Sequence, residues 1–238
     1  MSDTTQQPKI TVHHLDNSRS SRILWMLEEL QLQYDIKEYK RGSDMRAPKE
    51  LSDVHPLGKA PVVTIEENGK TLTLPESGTI VEWILTRYGP QMLPTPTDLE
   101  ASSQHMFYMH YAEGSLMGPL LQLLMFSIIP QRAPVLIRPV ARVMCNGIVS
   151  QAVKPALAKN FGFLESELKK AGGDFFVGGK LTGADIMLSF PIVAIAGAPE
   201  FQKDYPTLFQ WLKKMEERPA YKTSIEKGGR IDYSHLLQ

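Results

Sequence analysis

Cysteine is nearly absent from this 238-residue chain, in which Cys145 is the only one. A lone cysteine excludes an intrachain disulfide and any zinc site built on several thiolates, and it favours a reducing compartment. An excess of one charge is lacking as well. The 26 Lys and Arg cancel the 26 Asp and Glu, which removes the electrostatic basis for nucleic acid or an anionic bilayer as the main partner. No apolar run reaches the roughly 20 residues that a membrane-spanning helix needs. Residues 116–129 are broken by Gly118, Pro119 and Gln122, and 186–198 by Pro191 and Gly197, so both read as buried helices. The polar stretch 1–9 lacks the apolar core of a signal peptide. A cytoplasmic address is expected, with peripheral membrane association left open. Internal repeats and low-complexity segments are also missing. The remaining balance, 42% hydrophobic and 22% charged, is that of an ordinary globular protein long enough for one large domain or two modest ones.

The two halves are punctuated differently. Residues 9–15 (KITVHHL) alternate polar and apolar, which predicts a strand. In 18–32, Ile23, Leu24, Leu27 and Leu30 share one helical face. Strand 34–39 completes a β-α-β unit, and a short helix at 48–54 leads to a third strand at 60–65. Asn68-Gly69 is the pair that two-residue hairpins favour, so 71–74 should return antiparallel. A helix over 76–88 then turns Ile80, Ile84 and Leu85 inward. Three prolines in 89–97 mark a linker, because proline lacks the backbone NH a helix needs. Beyond it helical periodicity covers 98–126 and about 132–170, followed by shorter helices at 184–195 and 205–218, and no convincing strand is found. The expected organisation is an α/β domain over 1–88, a linker over 89–97 and an all-helical domain over 98–238.

Three places in the first half can carry chemistry. The strand-to-helix junction 16–22 offers Asn17 and Ser18 at a helix start, where free NH groups and the helix dipole favour an anion and a hydroxyl can donate to a thiolate. Ser18, Ser20 and Ser21 also suit plain capping. Ala60-Pro61 opens a strand. A cis bond there would turn the backbone of Ala60 toward an extended peptide, with Lys59 beside it to meet a carboxylate. Glu76-Ser77 precedes an apolar helix, so Ser77 can bind a carboxylate and Glu76 an ammonium group. In the second half, Thr182 and Asp185 form a capping box, with Leu181 and Ile186 as its hydrophobic staple; their role reads as structural.

These features together resemble the soluble glutathione transferases, over about residues 10–224. HHLDNSRSSRILWMLEEL, HPLGKAPVV, ESGTIVEWIL, YAEGSLMGPLL and GKLTGADIMLSFPI are similar to the fungal GTT type and its bacterial relatives. The resemblance implies a thioredoxin-like N-terminal α/β domain and an all-α C-terminal domain, the glutathione transferase fold. It assigns Ser18, with Asn17 as rival, to activation of the glutathione thiol. Ala60 and Pro61 would pair with the cysteinyl backbone, Glu76 and Ser77 would bind the γ-glutamyl end, and Lys59, helped by His55, would lie near the glycyl end. Glu113 and Ser115 would point at the glutathione cysteine, while Tyr108, Tyr111 and Met117 suit either the second-substrate pocket or ordinary core.

The implied activity is conjugation of glutathione to hydrophobic electrophiles in detoxification, with hydroperoxides as a further substrate class. Its alternative is a non-catalytic binder of glutathione or hydrophobic ligands on the same fold. Glutathione is then a cosubstrate, and neither a metal nor a held cofactor is expected. A homodimer is implied, without nucleic acid, and membrane contact is not expected beyond the peripheral association left open above. Members that exchange disulfides carry cysteine at the first strand-helix junction. Here Ser18 stands there, which disfavours thiol exchange.

Overall fold

The computed structural model describes residues 8–44 and 46–231, so most of the polar segment at the start of the chain, residues 1–7, lies outside them. Two compact units result. The first contains the residues up to Leu93 together with Met215–Ile231, and the second is Pro94–Lys214.

The first unit runs β1 (Lys9–Leu15), α1 (Ser20–Glu29), β2 (Tyr34–Tyr39), α2 (Glu50–Val54), β3 (Val62–Glu67), β4 (Lys70–Pro75) and α3 (Ser77–Tyr88). Its sheet has the order β2-β1-β3-β4, with β1 parallel to β2 and antiparallel to β3, and with β4 antiparallel to β3. Asn68 and Gly69 both have positive φ, 52° and 71°, the geometry that twists a two-residue hairpin in the same sense as its strands. Ile10 and Val12 of β1, Ile23, Leu24 and Leu27 of α1, Val63 and Ile65 of β3, and Ile80, Ile84 and Leu85 of α3 are all buried. Helix α1 begins at Ser20, two residues later than its periodicity predicts, because Ser18 and Arg19 form the turn that enters it.

The second unit has helices joined by loops and no strand among its described residues: α4 (Leu99–Tyr111), α5 (Met117–Arg132), α6 (Arg138–Ile148), α7 (Lys154–Lys170), α8 (Gly183–Ala196), α9 (Phe201–Asp204) and most of α10 (Pro206–Glu217). The reading of 186–198 as a buried helix agrees with α8, whose residues from Gly183 to Ile192 are all buried. The reading of 116–129 as a buried helix requires correction. Helix α5 buries only Met117, Leu120 and Pro130, while Met125 is 59% exposed and Leu121 and Ile129 are exposed too. Gly118, Pro119 and Gln122 do not interrupt it. Leu99–Arg132 is one 34-residue helix, long and apolar enough by length and composition to cross a membrane. It runs through because the five residues Ala112–Leu116 form a wider turn. The carbonyl that proline would crowd, four residues before Pro119, belongs to Ser115 within that turn.

The last helix, α11 (Pro219–Gly228), was not anticipated from periodicity, and it lies in the first unit. It packs along α1. The Arg218 guanidinium reaches both carboxylate oxygens of Glu29 at 2.6 and 2.7 Å, Lys227 pairs with Glu28, and Trp25 meets Tyr221 edge to face.

Candidate active site

Strand register gathers the first-unit candidates. His13 of β1 lies opposite Val62 of β3, and Val62 lies opposite Pro75 of β4. The C-terminal end of β1, the start of β3 and the C-terminal end of β4 are therefore neighbours on one edge of the sheet. Asn17 and Ser18 follow β1, Ala60 and Pro61 precede β3, and Glu76 and Ser77 follow β4, so all six come to that edge. The Ala60-Pro61 bond is cis.

Two non-glycine residues at this edge have left-handed backbones, Asn17 with φ 45° and Glu76 with φ 69°. Such conformations cost on the order of 1–3 kcal/mol and persist only where the surroundings impose them. At Asn17 the loop is tied down by Arg41, whose backbone NH donates to Asp16 Oδ1 at 3.0 Å and whose guanidinium donates to the Asn17 carbonyl at 3.4 Å. At Glu76 the turn directs the side chain outward, where it is exposed, and lets Ser77 start α3 with its own side chain buried. The first backbone bond of α3 runs from the Ile80 NH to the Glu76 carbonyl at 3.0 Å. The amides of Ser77, Gly78 and Thr79 thus precede the helical ladder, in the position from which helix starts attract carboxylates.

Lys59 is exposed and Ala60 half-buried beside the buried Pro61. His55 ends α2, with its Nδ1 accepting the Leu57 NH at 3.4 Å. Between them Gly58 has φ +57°, and a Cβ there would lie 2.6 Å from Ser52 Oγ; the turn that delivers Lys59 needs glycine.

Ser18 is 6% exposed, and its oxygen accepts the Ser20 NH at 3.2 Å. It therefore braces the turn that leads into α1, one residue ahead of the N-cap position at Arg19. Its Oγ also lies 2.7 Å from Ser20 Oγ, which lies 2.8 Å from His14 Nδ1; His14 Nε2 donates to the Gly228 carbonyl at 2.7 Å. Burial lowers the His14 pKa, against the Gly228 carbonyl and the Glu38 and Asp16 carboxylates, which raise it. Neither His14 nor Ser20 was singled out as a site residue from sequence. The alternation of KITVHHL marks His14 only as a strand residue, and nothing local reveals that residue 228 returns to it.

Glu113 and Ser115 lie on the wide turn of the second unit, Glu113 half-buried and Ser115 exposed. Tyr108 and Met117 are buried, with Tyr108 edge-on to Phe176, while Tyr111 donates to Asn160. Burial pushes the Tyr111 pKa up to about 12, so it is a neutral donor. Cys145 is buried on α6. Among the described residues no group of three His, Cys, Asp or Glu is placed to hold a metal ion.

A four-stranded mixed sheet with its helices, followed by a helical unit, is the architecture of the glutathione transferase class. Comparison with known proteins agrees. Residues 18–87 match the glutathione S-transferase N-terminal domain and 148–227 the glutathione S-transferase C-terminal domain. The chain is 38% identical to glutathione S-transferase 1 of Saccharomyces cerevisiae, over 92% of this chain and 95% of the relative. It is 35% identical to glutathione S-transferase 3 of Schizosaccharomyces pombe, over 92% and 87%. Among solved structures, a glutathione S-transferase from Actinobacillus pleuropneumoniae matches with TM-score 0.75 and 30% identity, over 96% of this chain and 98% of that one. The chain belongs to the glutathione S-transferase family and is a glutathione transferase related to the fungal enzymes.

Proposed function

We propose that this enzyme binds glutathione along the gathered sheet edge, ionises its thiol at Ser18, and directs the thiolate at hydrophobic electrophiles and hydroperoxides in cytoplasmic detoxification. The observation that carries this reading is the register His13–Val62–Pro75, which brings three separate segments to one edge. There Ala60 offers its backbone to the cysteinyl residue, Glu76 and Ser77 meet the γ-glutamyl ammonium and carboxylate, and Lys59 with His55 serves the glycyl carboxylate. Ser18, in preference to Asn17, donates to the sulfur, because its hydroxyl is fixed by neighbours at both Oγ and backbone. A hydrogen bond to the charged form lowers an acid's pKa, each unit being tenfold in thiolate population, and the thiolate is the nucleophile. Glutathione is a cosubstrate, and no resident cofactor is required by this chemistry. The helical unit is proposed to bind the hydrophobic second substrate.

Ser18→Ala tests this directly. The pKa of the bound thiol should rise by about one unit or more, with turnover falling at least about tenfold, while the glutathione KM changes little. An unchanged thiol pKa would transfer the role to Asn17 or the backbone amides.

A further inference from the structure

Ser18 is one end of a buried chain of polar side chains whose other end is the carboxyl-terminal helix of the first unit. We propose that His14 is the terminal proton acceptor for the glutathione thiol, reached through Ser18 and Ser20, a role that rests on Ser18 meeting the sulfur as described above.

The directions of the hydrogen bonds follow from one fixed point. The Gly228 carbonyl can only accept, so His14 Nε2, 2.7 Å away, carries a proton. In neutral imidazole Nδ1 is then a bare acceptor, and the Ser20 hydroxyl at 2.8 Å donates to it. The Leu15 carbonyl, 3.3 Å from Ser20 Oγ, is a second and longer acceptor for that proton; neither acceptor turns the Ser20 proton toward Ser18, so across the 2.7 Å contact Ser18 donates to Ser20. The Ser18 oxygen keeps a lone pair for an incoming S–H. Every link is poised for transfer in one direction, away from the sulfur.

The step balances without a charged serine. The thiol proton passes to Ser18 Oγ, the former Ser18 proton to Ser20 Oγ, and the former Ser20 proton to His14 Nδ1. One S–H bond is broken and one N–H bond is formed, leaving a thiolate and an imidazolium. Ser18 now donates to the sulfur, so the same transfer that ionises the thiol turns its hydroxyl toward the anion. The imidazolium keeps its bond to Gly228, whose carbonyl lies in the last turn of α11, the negative end of the helix dipole. Glu38, opposite His14 across β1–β2, and Asp16 also favour the charged ring. The cations on the α11 side are engaged elsewhere, Lys227 with Glu28 and Arg230 with Glu216. Burial keeps His14 neutral, and thus receptive, before the thiol arrives.

Gly228 is shaped for this contact. Its φ is not positive, yet a Cβ would stand 2.3 Å from Leu24 Cδ1 and 3.2 Å from His14 Cε1. A side chain there would displace the end of Leu24 and press on the His14 ring, so glycine suits the close packing and not a special backbone conformation.

The test compares Ser20→Ala and His14→Asn with the unsubstituted enzyme, following the ultraviolet absorbance of bound glutathione thiolate against pH and turnover with chlorodinitrobenzene. Ser20→Ala leaves the His14–Gly228 bond intact and so reports on the relay even if His14→Asn fails to fold. Both variants should lower the thiolate population at neutral pH by about tenfold, equivalent to about one pKa unit. The glutathione KM should stay within about twofold, and the double variant should be no worse than either single one. In the unsubstituted enzyme activity should fall as acid protonates His14, and that limb should be absent from Ser20→Ala. Folded variants with the unsubstituted pH profile would overturn the relay. If Ser18→Ala loses the thiolate while Ser20→Ala retains it, the relay alone fails; if Ser18→Ala retains it, the role of Ser18 fails too.

Discussion

Glu76 combines a backbone conformation that its side chain disfavours with a carboxylate placed for an ammonium group. The two properties can be separated by substitution. Glu76→Ala keeps a Cβ at φ 69° and so keeps the strain, whereas Glu76→Gly releases it. Both would remove the charge-assisted hydrogen bond to glutathione proposed above, a class worth about 1.5–3 kcal/mol. Calorimetric titration should show glutathione affinity reduced by about tenfold or more in both, and melting should show Glu76→Gly to be more stable than Glu76→Ala by about 1 kcal/mol. Equal stabilities would deny that the turn is strained. At this scale the sequence was informative about residue type and silent about direction. Ser18, Pro61 and Ser77 were recognisable as candidates because each borders a strand or helix. The left-handed backbones of Asn17 and Glu76, and the selection of Ser20 from three neighbouring serines, depend on tertiary contacts that no local pattern encodes.

Helix α8 shows how an element is held at its start. The Thr182 NH and hydroxyl donate to Asp185 Oδ2 at 2.9 and 3.0 Å, and the Phe176 NH donates to Oδ1 at 3.1 Å. Burial nevertheless pushes the Asp185 pKa up to about 6, those hydrogen bonds acting in the opposite sense. A folded pKa above the unfolded value of about 3.9 means that the folded state takes up the proton first. The contribution to stability is complete below about pH 4 and is lost as pH rises through about 6, a swing of about 3 kcal/mol. Urea unfolding across this interval should show that slope, and Asp185→Asn should lack it. The capping box was legible in sequence because its spacing is local. The continuity of Leu99–Arg132 was not, since Pro119 reads as a breaker until the wider turn before it is seen. The same device recurs at Val149–Val153, where Gln151 is the residue four before Pro155. Pro119 and Pro155 each follow such a wide turn, whereas Pro130 and Pro191 lie inside α5 and α8 without one.

For the molecule as a whole, the chain divides at Leu93–Pro94, inside the proline-rich stretch 89–97, and Met215–Ile231 returns to the first unit, which no composition change announces. Exposed apolar side chains are concentrated on the second unit, among them Leu99, Met106, Met125, Val140, Val143 and Met144. We propose that part of this surface is covered in a homodimer, since scattered apolar residues are ordinary but a surface this rich in them favours association. Sedimentation at micromolar concentration should give about twice the 26.7 kDa chain mass; a particle of one chain mass would count against it.

The return of α11 to α1 has a consequence for how the protein comes into being. His14 and Gly228 are separated by 214 positions, so β1 leaves the ribosome long before the helix that meets it. A nascent chain carrying only the α/β half exposes the flank of Leu24 and Trp25, and the helical unit must emerge before that flank can be closed. Long-range closure of this kind slows folding. The polar chain leading to Ser18 is complete only when α11 has packed against α1.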